Sequence, residues 1–376
     1  MEKILENIDL KNIDKSNWES HGFEKIASSI SERVEPTQTD LETYVGLEHL
    51  DPEDIHIRRF GKREDVSGTK LRCYPGDVIF GRRRAYQRKA AVVNFDGFCS
   101  AHSLVLRPNP KVIDPQLFPF FLHSDQFMHR AVDISVGSLS PTINWGTLKK
   151  EKFLLPPKDQ QARLASLLWA LDEVMERERE VLEGLERARQ SFFSEKIKKY
   201  AGKKTPLSKL LIAKKKKSQV PHQREKYIGL EHIKSGKFEC DSFRNSSEVL
   251  AQCNMIDTGD LCYSKLRPYL DKAFIAEFDA VSTTELLVFD TKSVSKEYVL
   301  YHMHSKPFID FVNGKTFGTR MPRASIQIIG DYEIKVLEDE DKLIDELSMF
   351  TKGINEIKTK LVTSKSLQKS LINQIF

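Results

Sequence analysis

Two short segments of the chain group basic side chains around a tyrosine, an arrangement suited to binding a polyanion. Residues 81–90 contain no acid and surround Tyr86 with Arg82, Arg83, Arg84, Arg88 and Lys89. Residues 264–273 contain one acid, Asp271, and surround Tyr269 with Lys265, Arg267 and Lys272. Arginine can bind guanine O6 and N7 bidentately, while flanking basic side chains hold phosphates. Both segments are therefore predicted to contact nucleic acid, with a solvated hairpin as the alternative.

A second pair of segments, residues 136–145 and 317–326, supports this prediction. Each has a glycine followed by small hydroxyl residues or arginines, and glycine lets a backbone approach a phosphate closely. The side chains predicted to contact DNA here are Ser138, Asn144, Thr319, Arg320 and Arg323. The alternative is a loop that caps the core, with Trp145 buried.

A third basic segment, residues 203–226, has nine lysines and arginines against one glutamate. Such a run can neutralise phosphates without reading sequence, which makes affinity fall steeply with salt. Lys214 and Lys216 represent it among the predicted DNA contacts. A flexible, solvated linker is the alternative.

Motifs of catalysis and metal binding are missing from the sequence. The segment GKT at 314–316 resembles the end of a phosphate-binding P-loop, but Ile309 stands where the first glycine is required. The five cysteines form no CxxC pair, and His49 and His232 have no second ligand at suitable spacing. We therefore expect a binding protein without a catalytic or metal site, in which both histidines have structural roles.

Composition narrows the class of protein further. The 376 residues carry a formal net charge of +5 and are 40% apolar, which excludes both a histone-like protein and general disorder. No run approaches the roughly 18 apolar residues of a membrane helix, and the charged start lacks a signal core. A cytoplasmic protein with reduced thiols is expected.

The first half of the chain returns in the second at a constant offset. YVGLEH at 44–49 returns as YIGLEH at 227–232, and Gly-Asp at 76–77 returns at 259–260. After two residues of slippage, Gly137 matches Gly318 and Pro141 matches Pro322. Each copy has short strand-like runs, such as 77–80 and 260–263, and one helical piece, at 119–124 and 298–305. A period this long indicates two duplicated domains and not a solenoid.

Each copy ends in a long segment with apolar residues at coiled-coil spacing. The first series is Leu164, Leu168, Leu171, Met175, Leu182 and Leu185; the second is Leu343, Leu347, Phe350, Ile354, Ile357 and Leu361. One apolar stripe needs a partner, so the two segments are predicted to pair with each other in antiparallel fashion. The predicted domains are 1–158, a central helix 159–202, a second domain 203–339 and a C-terminal helix 340–376. The fold class is α+β, with two similar globular α/β domains separated by two long helices that form an antiparallel coiled coil.

Together these features resemble the DNA-specificity subunit of type I restriction–modification enzymes. The resemblance rests on the repeated GLEH turn, the Gly-Asp strand of each copy, LPPKDQQ at 155–161 and LINQIF at 371–376. The second copy departs from the proline-containing entry to the first long helix, because LEDED at 337–341 has no proline. The resemblance therefore does not predict that the two long helices start at equivalent positions.

The resemblance implies two target recognition domains that each read one half of an asymmetric, bipartite site in double-stranded DNA. It implies that the coiled coil sets the spacer between the halves. It also implies two adenine-methylating modification subunits as partners, with restriction subunits in the full complex. S-adenosylmethionine, ATP and Mg²⁺ would belong to those partners, and this chain would bind no cofactor and perform no catalysis.

Three other functions are compatible with the sequence. The chain could be the specificity subunit of a type IIB-like fused nuclease–methyltransferase, which the co-purifying large subunit would reveal. It could be a nuclease with unrecognised carboxylates, which Mg²⁺-dependent hydrolysis would reveal. A coiled-coil scaffold would show no sequence-specific DNA binding.

Overall fold

A computed structural model of the protein describes residues 13–316 and 321–376. The chain divides into two compact units. Unit 1 takes the described residues up to Glu180 together with Lys358–Phe376, and unit 2 takes Val181–Ile357. Thr319 and Arg320, two of the predicted DNA contacts, lie outside the described residues.

Unit 1 contains eleven strands among its described residues. They are β1 (Glu19–Gly22), β2 (Ala27–Ile30), β3 (Arg33–Val34), β4 (Thr43–Val45), β5 (Gly61–Lys62), β6 (Lys70–Cys73), β7 (Val78–Gly81), β8 (Ala90–Val92), β9 (Gly97–Cys99), β10 (Ser103–Pro108) and β11 (Lys152–Leu155). A four-stranded antiparallel sheet has the order β2-β10-β7-β8, and a five-stranded sheet has the order β3-β6-β9-β4-β5. Strand β1 pairs with β11.

Unit 2 repeats this plan. Its strands are β12 (Lys203–Pro206), β13 (Leu211–Lys214), β14 (Lys217–Ser218), β15 (Lys226–Ile228), β16 (Arg244–Asn245), β17 (Cys253–Ile256), β18 (Leu261–Ser264), β19 (Ala273–Ile275), β20 (Ala280–Ser282), β21 (Leu286–Thr291) and β22 (Glu333–Val336). The sheet orders are β13-β21-β18-β19, β14-β17-β20-β15-β16 and β12-β22. They match unit 1 strand for strand, so the two halves share one fold, and the parallel pair β4–β9 has its counterpart in β15–β20.

Short helices cover the sheets, and two long helices follow the globular parts. The helices are α1 (Phe23–Ile26), α2 (Phe118–His123), α3 (Asp125–Asp133), α4 (Trp145–Leu148), α5 (Lys158–Lys199), α6 (Leu207–Leu210), α7 (Lys296–Met303), α8 (Lys306–Lys315), α9 (Ile326–Gly330) and α10 (Glu340–Ile375). Helices α2 and α7 correspond to the predicted helical pieces. The repeat offset relates the first residues of α5 and α10 to within one position, so their starts are equivalent despite the missing proline. None of the described helices is long and apolar enough to cross a membrane.

The central strands β7 and β18 are buried on both faces, which explains their unbroken apolar sequence. Successive side chains of a strand point to opposite faces. Phe80 packs into one core and its neighbour Ile79 into another. In unit 2, Tyr263 and Cys262 divide between two cores in the same way.

The repeated GLEH turn is held by the same contacts in both units. The backbone N–H of Gly46 donates to His49 Nδ1 at 3.0 Å, and that of Gly229 donates to His232 Nδ1 at 2.9 Å. Each histidine therefore closes its own turn, which is the structural role predicted for it.

Helices α5 and α10 pack against each other in opposite directions within each unit. In unit 1, Leu164 and Leu168 share a buried cluster with Ile372 and Ile375. In unit 2, the rings of Phe192 and Phe350 lie 5.4 Å apart, and Lys196 Nζ lies 2.6 Å from Glu346 Oε2. The predicted fold class, with two similar domains and two long helices, is confirmed.

The seam between the helices is less uniformly apolar than heptad spacing suggests. All twelve predicted positions are buried or half-buried. Polar side chains are buried beside them, however, including Asp172, Arg189 and Gln368. The guanidinium of Arg189 lies 3.9 Å from the centre of the Phe238 ring, so a cation–π contact replaces an apolar one.

The globular part of unit 1 contacts α5 through a histidine–aspartate pair. His56 Nε2 lies 2.8 Å from Asp172 Oδ2, and this hydrogen bond raises the pKa of His56 although burial opposes it. A raised pKa in the folded state means that the protonated ring is stabilised by folding. The contribution of the His56–Asp172 pair to the free energy of unfolding is complete below the pKa of His56 in the unfolded chain, about 6.5. It is lost as the pH rises through the pKa of His56 in the folded protein.

We expect His56→Asn to destabilise unit 1 more at pH 5.5 than at pH 9, with a difference on the order of 1 kcal/mol. The three tryptophans, Trp18, Trp145 and Trp169, all lie in unit 1, so urea unfolding followed by tryptophan fluorescence reports on this unit. The exposed His129 provides the control, because His129→Asn removes a histidine without a pair. Equal destabilisation by His56→Asn at both pH values would contradict the stabilisation of protonated His56 by Asp172.

Candidate nucleic-acid interface

In unit 1 the fold brings the first two predicted DNA-contacting segments together. The backbone N–H of Arg84 donates to the carbonyl of Pro141 at 2.7 Å, and that of Ile143 donates to the carbonyl of Arg82 at 2.9 Å. Arg83 also forms a β-bridge with Thr142. Segments that are distant in sequence thus form one continuous surface. We call residues 82–88 with 136–145 reading surface 1.

Unit 2 builds the same surface with the same backbone contacts. Arg267 N–H donates to the Pro322 carbonyl at 2.8 Å, and Ala324 N–H donates to the Lys265 carbonyl at 2.7 Å. Residues 265–271 with 321–326 form reading surface 2. The frame of each surface is therefore set by backbone hydrogen bonds and does not depend on the side chains that it presents.

A single turn of 3₁₀-helix presents the tyrosine in each surface. Backbone in the left-handed region precedes and follows the turn: φ is 55° at Arg84 and 52° at Arg88, and 51° and 47° at Arg267 and Asp271. Left-handed backbone is uncommon outside glycine, and its presence at matching places shows that both turns are tightly constrained. The turns leave Tyr86 56% and Tyr269 52% exposed, so both rings are accessible to a ligand.

Arginines and polar side chains surround Tyr86 on reading surface 1. Arg82 Nη2 donates to Asn144 Oδ1 at 3.2 Å, and Arg83 Nε donates to Ser140 Oγ at 3.0 Å. No carboxylate of the described residues lies within 4 Å of Arg82, Arg83 or Arg84. Their charges are thus available to an anionic ligand.

Glycine is required at one corner of this surface. Gly137 has a φ of 119°, and the exposed Ser138 follows it at the tip of the loop. Trp145, considered above as a buried core residue, is half-buried and contacts Phe23 edge-on with ring centres 5.9 Å apart.

Reading surface 2 differs in charge. Glu285 Oε2 accepts a hydrogen bond from Arg323 Nε at 3.2 Å, and Glu285 Oε1 lies 3.9 Å from Lys265 Nζ. The residue at the matching place in unit 1 is His102, whose Nε2 lies 3.5 Å from Arg83 Nη1. His102 and Glu285 were not predicted from the sequence as members of the two surfaces. The repeat offset aligns these two residues, so it could have indicated that they occupy matching places.

Four of the side chains predicted to contact DNA make hydrogen bonds within the fold. Arg88 donates to Asp125 Oδ1 and to the carbonyl of His123, both at 2.6 Å. Lys89 and Lys272 donate to the carbonyls of Leu47 and Leu230, each at 2.7 Å, and so bind the GLEH turns. Lys214 lies 2.8 Å from both carboxylate oxygens of Asp260 and 2.5 Å from Asp257.

The basic run 203–226 is folded, which excludes the flexible linker. It contains β12, α6, β13 and β14, and it leaves Lys215, Lys216 and Lys217 exposed. Lys216 therefore remains a predicted phosphate contact.

We expect Tyr86→Ala to weaken DNA binding roughly tenfold, or about 1.4 kcal/mol, which is within the range for one contact between a base and an aromatic ring. Tyr86→Phe keeps the ring and should retain affinity within about twofold. Fluorescence anisotropy with a labelled duplex measures both variants. If Tyr86→Phe weakened binding as much as Tyr86→Ala, the hydroxyl and not the ring would make the contact.

Across residues 13–316 and 321–376, no group of three or more histidine, cysteine, aspartate or glutamate side chains is arranged to hold a metal ion. The five cysteines are buried free thiols.

Comparisons with known proteins bear on this surface. Residues 66–187 match the family model of the type I restriction modification DNA specificity domain, a segment that includes all of reading surface 1. The chain is 27% identical over 188 residues to the type I restriction enzyme EcoDI specificity subunit of Escherichia coli. That match spans 47% of this chain and 40% of the relative, so it covers about two fifths of the relative's length.

A solved chain shares the fold over almost the whole length. It belongs to a study described as "Structural basis underlying complex assembly and conformational transition of the type I R-M system". The two chains align with a TM-score of 0.51 at 16% identity, covering 96% of each. The resemblance to type I specificity subunits is confirmed.

Proposed function

We propose that the chain is a non-catalytic DNA-specificity subunit of a type I restriction–modification system. Each unit reads one half of a bipartite site in double-stranded DNA through its reading surface. The main support is that two units of identical topology present the same pair of loops through the same backbone hydrogen bonds.

The two half-sites should differ in sequence because the two surfaces differ where side chains face outward. By the repeat offset, Arg83 corresponds to Leu266 and His102 to Glu285, while Asn144 corresponds to Ser325. An arginine favours guanine and a carboxylate can accept from cytosine N4, so these exchanges alter the bases that each surface prefers. The whole site is then asymmetric.

The long helices would set the distance between the half-sites and bind two modification subunits, which methylate adenine. Restriction subunits would join in the full complex. S-adenosylmethionine, ATP and Mg²⁺ would be held by those partners. The pairing of α5 with α10 supports the spacer role, because rigid paired helices maintain length better than a loop does.

Methylome sequencing of cells that express this chain with its cognate modification subunit tests the proposal. The expected result is methylation at one asymmetric motif made of two short defined halves and an undefined spacer of constant length. Methylation at a single continuous motif, or methylation unchanged when this chain is omitted, would overturn the proposal. Mg²⁺-dependent DNA hydrolysis by the purified chain alone would indicate a nuclease instead.

A further inference from the structure

A basic cleft lies beside reading surface 2 and shares only Lys265 and Ile326 with it. Its volume is about 260 Å³, and it lies between the β13–β14 edge and the loop that carries Lys265. Four lysines line it, Lys214, Lys215, Lys217 and Lys265. Among the described residues, no aspartate or glutamate contributes to its lining.

Internal contacts hold the cleft in shape. Lys214 is anchored by Asp257 and Asp260, and Lys217 Nζ donates to Asn254 Oδ1. Asn254 in turn donates to the carbonyl of Leu286 at 2.7 Å. Lys215 is exposed at the opening, and Lys265 reaches it from the reading surface.

The chemistry of the cleft suits a phosphate group better than a base. Lysine is a compact point charge with freely rotating donors and lacks the planar fork with which arginine recognises guanine. A concave surface that carries one sign of charge concentrates counter-ions. An anion with several acceptor oxygens can meet the lysines and the Asn254 amide together.

The lysine edge of this cleft has a mostly uncharged or acidic counterpart among the described residues of unit 1. Strands β2 and β3 correspond to β13 and β14, and this relation places Ile30, Ser31, Glu32 and Arg33 where unit 2 has the four lysines 214–217. Glu32 is negatively charged and accepts a hydrogen bond from the Tyr74 hydroxyl at 2.8 Å. The basic edge is therefore a property of unit 2 alone.

We propose that this cleft binds a phosphodiester of the DNA backbone next to the bases read by surface 2, a sequence-independent contact for which the corresponding edge of unit 1 lacks the lysines. The proposal rests on the proposed function, since it concerns the same DNA. Unit 1 then depends more on its uncompensated arginines, and the two half-sites contribute unequally to the electrostatic part of binding.

The test measures how the affinity of the full chain for a labelled duplex of arbitrary sequence depends on salt. Each phosphate contact adds about 0.9 to the slope of log K against log salt concentration. Because the cleft would hold one phosphate, the variant Lys215→Gln/Lys217→Gln/Lys265→Gln is expected to lower the magnitude of this slope by about one. Thermal melting by circular dichroism verifies that the variant is folded.

Two control variants make the result specific to the cleft. Lys209→Gln/Lys292→Gln/Lys352→Gln removes the same charge from exposed positions elsewhere in unit 2, and Arg33→Gln removes the unit 1 counterpart of Lys217. Both should leave the slope within about half a unit of the unsubstituted value.

The outcomes separate the two proposals. An unchanged slope in the folded cleft variant, or an equal decrease in the charge-matched variant, would overturn the cleft assignment alone. Failure of the unsubstituted chain to bind duplex DNA would instead overturn the proposed function.

Discussion

Substitution of Arg83 by alanine is expected to relax or abolish recognition of one half-site only. Arg83 is exposed on reading surface 1, has no carboxylate partner among the described residues and lies beside Ser140 and His102. A bidentate contact between arginine and guanine is worth about 1–3 kcal/mol, so discrimination should fall roughly 5- to 150-fold at one base pair. Methylome sequencing of cells that express Arg83→Ala measures the change directly.

A variant of reading surface 2 controls for general loss of DNA binding. Arg267 follows the position that corresponds to Arg83 and belongs to reading surface 2, so Arg267→Ala should affect the other half-site. Relaxation of both halves by either variant would show that the two surfaces do not act separately. Retained tryptophan fluorescence verifies that Arg83→Ala leaves unit 1 folded.

Removal of one matched heptad from both long helices is expected to abolish methylation at the original spacer length. Residues 178–184 of α5 and 358–364 of α10 lie between the pairs that join the helices in unit 1 and unit 2. Seven residues correspond to about 10 Å of helix, close to the length of three base pairs. Any methylation that remains should occur at sites whose spacer is about three base pairs shorter.

Substitution without shortening serves as the control for this deletion. Glu180→Gln with Lys360→Gln alters exposed residues of the same segments and preserves helix length, so the spacer should not change. An active deletion variant with an unchanged spacer would refute the role of the helices as a ruler. Deletion from α5 alone should instead destabilise the protein, because it moves Phe192 away from Phe350.

The doubled fold was predictable because duplication leaves the same signals twice. The GLEH turn, the Gly-Asp strands and the two heptad series each occur in both halves, and each corresponds to a matching element of the two units. The apolar runs at 78–81 and 261–264 also indicated strands, since a strand covered on both faces needs apolar residues throughout.

The candidate site was less predictable because a basic residue does not reveal its partner. Arg88 is paired with Asp125, 37 residues away, and Lys214 with Asp260, 46 residues away, and neither distance leaves a local pattern. One signal was available: Arg88 corresponds to Asp271, and such a reversal of charge is incompatible with a shared phosphate contact. In unit 2, Asp271 instead lies 2.8 Å from His304 Nδ1.

Residues 358–376 complete unit 1, and this arrangement determines the order in which the protein can mature during synthesis. Asn373 exchanges two hydrogen bonds with Asp125 across 248 residues, and Phe376 packs on Phe121. Unit 2 possesses all its residues once Ile357 has been translated, whereas unit 1 waits for a segment that is made later. The half of the protein that is made first is thus the last to be completed, because the cluster that Leu164 and Leu168 form with Ile372 and Ile375 cannot close before the C-terminal segment has been translated.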